Sequence, residues 1–303
     1  MFLLFFTKRP PRTAAGRHAR LAPFLAALAT ASCSLLVDGD ARQCSEDADC
    51  AAAGPSFALW RCVDGLCHAP QPDAGVPLPD GFGCLDEISM PQPGPVERTL
   101  SFLDYITNKP LTEGDVRICD AYDVDCATPL QQDLHPDAQG AITYTVDRTF
   151  SGYLELQVPD RFTTLVWITP FYNRGPQSRG RDPVPVLSEA MFEAMAGLMG
   201  VSVDPATGHV IGVAVDCGGN AAAGMTAEID VAAGEVPYFF YVSSAGFPIN
   251  AEQTDGSGRF GGFNITPGIG EAITRVSRRF VGKSALIVRA GQVTIVTVSP
   301  SPQ

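Results

Sequence analysis

Little in the sequence could support hydrolytic or metal chemistry. Histidine is scarce, 4 in 303 residues, and only His68, His135 and His209 lie beyond the first 32. Three places after them stand Gln71, Ala138 and Gly212, so none opens an H-x-x-E zinc pair. They read as surface or turn residues. There is no G-x-S-x-G elbow, and Ser257 sits in the turn DGSGR with no histidine beside it. No Walker loop or G-x-G-x-x-G opens a helix after a strand, and Gly261-Gly262 reads as a bulge or a close backbone approach. Two acidic runs, Glu46, Asp47 and Asp49 in CSEDADC and Asp120, Asp123 and Asp125 in CDAYDVDC, lack the full EF-hand pattern and read as solvated turns. A non-catalytic chain is expected, with no cofactor and no metal site. Two readings stand as alternatives: a glycan- or peptide-processing hydrolase with converging carboxylates, or a protease inhibitor presenting residues 51–60.

Positive charge is also short. Against 33 Asp and Glu there are 21 Lys and Arg, a net charge of −12. Five of those cations, Lys8, Arg9, Arg12, Arg17 and Arg20, crowd into the first 32 residues, where no acid occurs, so the remainder carries about −17. Such a surface repels nucleic acid, and no nucleic-acid partner is expected. The basic stretch leads into LAPFLAALATAS, which is too short to span a bilayer but has the length and small-residue end of a secretory signal. Thr30-Ala31-Ser32-Cys33 resembles the bacterial lipobox, which implies acylation of Cys33 and removal of residues 1–32. Thr30 departs from the usual Leu or Val. Ser34, in place of Asp, points by the same analogy to the outer membrane, so the expected partner at this end is the membrane itself.

Eight further cysteines follow, an even number that suits an oxidising compartment. Cys44, Cys50, Cys62 and Cys67 lie within 44–68, too short a stretch for a self-sufficient hydrophobic core. Two disulfides are expected there, with three pairings open. A zinc knot is the competing reading, but paired C-x-x-C spacing is missing. The segment resembles small cysteine-rich modules, with a C-x-x-D-x-D-C opening and a D-G-x-C close, found in bacterial surface lipoproteins. Cys84, Cys119, Cys126 and Cys217 make two more bridges. Cys84 with Cys217 and Cys119 with Cys126 is the slightly favoured one of three options.

Residues 33–43 read as a tether and 69–95, dense in Pro and Gly, as a semi-rigid linker. Beyond them Val, Thr, Ile and aromatics alternate in short runs between turns, the pattern of a mainly β protein. A weak internal repeat divides this part into 96–186 and 201–299. Each copy has an Asp-x-x-Gly turn, Asp137 to Gly140 and Asp255 to Gly258, leading into strand residues. Two domains of similar topology are expected. Between them, 187–200 reads as a helix capped by Ser188 and stopped by Gly200, with Leu187, Met191, Ala194, Met195 and Leu198 as its apolar stripe.

In the second copy TDGSGRFGGFNITPG resembles the signature of carboxypeptidase regulatory-like modules, which are relatives of transthyretin. Thr254, Asp255, Gly258 and Phe260 match its first part, and Asn264, Pro267 and Gly268 its second. The resemblance implies a β-sandwich. The first copy keeps Asp137 and Gly140 but lacks the Thr and the aromatic. The sequon Asn264-Ile265-Thr266 lies inside the signature and reads as structural. The expected whole is two immunoglobulin- or transthyretin-like β-sandwiches joined by one helix and preceded by a disulfide-stapled module. Its expected work is adhesion, scaffolding or binding of a glycan or protein ligand in the envelope. Tyr153, Trp167, Phe171 and Tyr172 are candidates for glycan stacking, with burial in strands as the competing reading.

Overall fold

Between Cys44 and His68, sulfur does the work that a hydrophobic core does elsewhere. A computed structural model describes residues 44–52, 60–63, 65–68, 78–172, 183–232 and 236–302. The expected signal peptide, Cys33 and the tether lie outside the described residues, as do 69–77 of the expected linker and 53–59 of the expected inhibitory loop. The chain divides into two compact units, Met1–Ala69 and Pro70–Gln303.

In the first unit a short helix, α1 (Asp47–Ala52), accompanies a hairpin of β1 (Arg61–Val63) and β2 (Leu66–His68). Cys62 and Cys67 are register partners on the hairpin, and each bonds outward, Cys44 to Cys62 and Cys50 to Cys67. The Sγ atoms of Cys44, Cys50 and Cys67 lie within 4.8 Å of one another because two disulfides are adjacent. The acids here cap backbone. Asp49 accepts from the amides of Ser45 at 2.7 Å and Glu46 at 3.1 Å, and Asp47 from the amide of Cys62 at 2.8 Å, which ties helix to hairpin.

The second unit runs β3 (Pro95–Asp104), β4 (Asp115–Asp120), β5 (Gln131–Leu134), β6 (Ala141–Asp147), β7 (Gly152–Gln157), β8 (Thr163–Ile168) and β9 (Val184–Val186). Helix α2 (Glu189–Leu198) follows, then β10 (Gly208–Ala214), β11 (Met225–Val231), β12 (Tyr238–Val242) and β13 (Pro248–Ile249). It closes with β14 (Arg259–Ile265), β15 (Gly268–Val276), β16 (Arg279–Val288) and β17 (Gln292–Val298). The protein is mainly β: two sandwiches joined by one helix, after a disulfide-stapled module. The sandwiches are fused. A nine-stranded sheet of order β13-β12-β14-β10-β17-β8-β7-β4-β5 runs through both, and the last strand, β17, lies parallel to β10 on one side and to β8 on the other. Sheet β6-β3-β9 belongs to the first half and sheet β11-β15-β16 to the second.

These two small sheets pack on opposite faces of the large one. One core joins Phe102, Ile142 and Tyr144 to Ile118, Leu154 and Val166 of the large sheet and to Phe192 of the helix. The other joins Ile229, Ala272 and Leu286 to Val210, Phe260 and Val296. Inner strands of the large sheet such as β7, GYLELQ, are accordingly buried along both faces, whereas β6 alternates buried and exposed residues.

Ser188 caps α2 by accepting from the Met191 amide at 3.3 Å, and Gly200 follows it at φ +71°. The buried stripe is Phe192, Met195 and Ala196, with Leu187 just before the helix. It is rotated from the expected one, for Ala194 is exposed and Leu198 is 65% exposed. The physical reason is Phe192, the bulkiest apolar side chain of the helix, which takes the core position. Both Asp-x-x-Gly turns form alike, with Gly140 at φ +70° and Gly258 at +64°, each donating its amide to the Asp carbonyl. They lead to different places. Strand β6 joins a small sheet, whereas β14 joins the large one beside β10. The two halves therefore share a turn but not a strand order.

Phe82 is 2% exposed in the second core, and Cys84 bonds to Cys217, so this stretch of the expected linker is docked on the second sandwich. The remaining bridge is Cys119–Cys126. Among the described residues no helix is long and apolar enough to cross a membrane.

Candidate ligand-binding cleft

The signature residues of the second half do structural work. The buried Thr254 hydroxyl donates to the Ala222 carbonyl at 2.7 Å and accepts from the Met225 amide at 3.0 Å, stitching the turn to the start of β11. Asp255 accepts from the Ser257 amide at 2.8 Å and, with the Ser244 amide added, is held below the usual carboxylate range. Phe260 is fully buried. Asn264 takes φ +54°, its side chain donating to the Ser202 carbonyl at 2.8 Å and accepting from the Asp204 amide at 3.0 Å. Pro267 and Gly268 turn the chain into β15.

The candidate glycan-stacking group is not a surface patch. Tyr153 and Trp167 are core residues, 0% and 2% exposed, stacked on each other at 6.1 Å. Phe171 lies under the guanidinium of Arg98 at 3.6 Å, and Tyr172 is half-buried. Near Tyr153 lies the densest group of buried charge. Glu155, 1% exposed, pairs with Arg117 and with Arg289 at 2.6 Å, and accepts from Gln157 at 2.6 Å. Burial alone would raise its pKa, but these donors hold it lowered. Tyr153 is pushed up to about 12, chiefly by burial. Arg289 follows β16 and Glu155 lies on β7, so the pair clamps one sandwich to the other. Asp123, from the second acidic run, accepts from the Ala127 amide at 2.8 Å and the Thr128 amide at 2.7 Å. It caps a loop.

His209 departs from the surface position expected of it. It sits on β10, wholly buried, because β10 is an inner strand with both faces covered. Nδ1 accepts from the Asn264 amide at 3.2 Å, Nε2 has no partner among the described residues, and the ring is surrounded by Phe162, Phe192 and Phe263. Burial lowers its pKa to about 4, opposed by Asp204. His135 is exposed, 3.2 Å from Asp115.

Farther along the same face of β10 the cover ends. Because the two sandwiches carry their small sheets on opposite faces, the β9 and α2 side of the large sheet is only partly covered over the second half. The result is a cavity of about 130 Å³. Its floor follows the register. Ile211, Ile295 and Val166 are successive partners across β10, β17 and β8, and the next row holds Arg259, Val213 and Thr297. Val184, Leu187 and Met195 form an apolar wall. The polar members, Arg259, Ser257, Thr297 and Ser299, gather with Tyr105 toward the Val213 end.

Two of these are already satisfied. The Tyr105 hydroxyl donates to the Gly246 carbonyl at 2.6 Å and that of Ser257 to the Val242 carbonyl at 2.8 Å. Burial raises the Tyr105 pKa, opposed by the positive charge of Arg259 nearby. The Arg259 guanidinium has no hydrogen bond or ion pair among the described residues. No Asp, Glu, His or Cys is among the described residues lining the cavity. Its described lining is that of a binding cleft, apolar with a few hydroxyls and one guanidinium.

Sequence reasoning did not single out Arg259 or Tyr105. Arg259 falls between the signature residues Gly258 and Phe260. Alternation along RFGGFNI, which puts Phe260 in the core, sends Arg259 to the other face, and that is the signal that could have found it.

No protein-family model matches the chain, and no curated protein matches it. Among solved structures, the shaft pilin SpaA of Lactobacillus rhamnosus GG is 14% identical over 69% of this chain and 99% of its own, with a TM-score of 0.24. The major pilin BcpA of Bacillus cereus is 10% identical over 69% of this chain and 100% of its own, with a TM-score of 0.22. The Bacillus anthracis TIE protein is 11% identical over 68% of this chain and 34% of its own, with a TM-score of 0.21. Likeness at this level carries no argument about what this chain does.

Proposed function

We propose that this chain is an exported lipoprotein, anchored through acylated Cys33 in the outer membrane, that acts as a non-catalytic binding or scaffolding module. The observation that carries the reading is the cysteine economy. All eight cysteines beyond Cys33 are paired in four disulfides, and Cys33, at the end of the export signal, is the ninth. Structural disulfides persist in oxidising compartments. The fused sandwiches suit a compact binding body held on a tether, and 201–299 is assigned to the carboxypeptidase regulatory-like modules on its signature turn.

A binding role, with a glycan, protein or small-molecule ligand, is favoured over hydrolysis. The buried Glu155 is held in an ion-paired clamp, and the described residues lining the cleft include no carboxylate, imidazole or thiol. Intact mass of the membrane-extracted protein, before and after reduction, tests the reading. Residues 33–303 plus a lipid, gaining about eight hydrogens on reduction, is the expected result. An unlipidated mass with free thiols would overturn it.

A further inference from the structure

We propose that the cleft beside Arg259 binds a small amphipathic monocarboxylate, its apolar body on Ile211, Val213 and Ile295 and its carboxylate on the Arg259 guanidinium. This rests on the reading of the chain as a non-catalytic binding protein and gives that reading a site and a ligand class.

Three observations converge. The first is size: the cavity holds about 130 Å³. A dry cavity of roughly 150 Å³ lined by Leu, Ile and Phe accommodates benzene, so an apolar body of about six carbons is the scale that fits. The second is polarity. The floor and one wall are aliphatic, and the polar side chains collect at one end, which is the layout for a ligand with one polar terminus. The third is charge. The chain as a whole carries −12, yet among the described residues no carboxylate lines this cleft and none pairs with Arg259, which faces it. An uncompensated guanidinium beside apolar surface is matched by a carboxylate, which it can engage through two parallel N–H groups. A neutral ligand would leave that charge unanswered. A dianion would bring a second charge onto an aliphatic floor.

Titration calorimetry on the folded full-length protein tests this, with octanoate as probe, hexanoate as the shorter homologue and 1-octanol as the uncharged control. Each methylene buried adds about fourfold in affinity, so octanoate should bind more tightly than hexanoate. Arg259→Gln should weaken octanoate about tenfold and leave 1-octanol unchanged. Val213→Tyr, which fills the floor, should abolish both while thermal unfolding confirms that the variant is folded. Equal octanoate affinity in the parent and Arg259→Gln, or no saturable octanoate binding to the folded parent, would overturn the assignment. Either failure is separable from failure of the envelope reading, which the mass measurement decides without reference to octanoate.

Discussion

Phe260 lies across Gly212, its register partner on the neighbouring strand, and a Cβ at Gly212 would come within 2.1 Å of the Phe260 ring. The glycine in β10 thus makes room for the signature aromatic of β14, which fills the core beneath the β11-β15-β16 sheet. Gly212→Ala should destabilise the fold by about 1 to 3 kcal/mol through overpacking, and Phe260→Ala by about 3 to 5 kcal/mol through the cavity it leaves. Urea unfolding followed by tryptophan fluorescence reads both, and the double variant should show less than the sum.

Acid should weaken the fold through His209. Its folded pKa is about 4 against an ordinary 6.5, so as pH falls below 6.5 the unfolded chain takes up the proton before the folded one does. The stability linked to it is whole above pH 6.5, declines between 6.5 and 4, and is gone below, amounting to about 3 kcal/mol. Chemical denaturation at pH 7 and pH 4.5 should show a smaller pH difference for His209→Leu than for the parent. An equal difference in the two would refute the assignment.

Glu155 is buried under two arginines, and neutralising it leaves their charges without a partner. Glu155→Gln should destabilise by about 3 kcal/mol, the low end for a buried pair because Arg117 is a third exposed. Adding Arg289→Met should recover part of the loss, which a double-mutant cycle measures.

The four disulfides should differ in their contributions. Cys84–Cys217 closes a sequence separation of 133 residues and Cys119–Cys126 one of 7. On the loop-entropy model the first contributes about 5 kcal/mol and the second about 2 kcal/mol. Serine replacement of each pair, followed by thermal unfolding, should therefore lower Tm more for Cys84 and Cys217.

The Asp137 to Gly140 and Asp255 to Gly258 turns were legible because an aspartate and a positive-φ glycine are local chemistry, settled within four residues. Ser188 capping α2 was legible for the same reason. Where the strands went after those turns was not. β6 and β14 follow similar turns into different sheets, and the difference lies in which distant strand offers an edge. The stripe of α2 was misplaced because helical spacing gives more than one apolar face, and the sheet beneath selects the one holding Phe192. His209 looked like a surface residue because a single histidine in GHVIGVA says nothing about whether its strand is central or at an edge.

Composition, alternation and cysteine number by themselves determined a mainly β, disulfide-bearing chain, since each depends on residue type or short-range periodicity. Only the tertiary structure decided that β17, last in the chain, would insert in parallel between β10 and β8 and weld the two sandwiches into one sheet. The cleft followed from that. Strand pairing across more than a hundred residues is set by which edges are free once the rest has packed, and with both small sheets on opposite faces, one stretch of β10 beside Arg259 was left only partly covered.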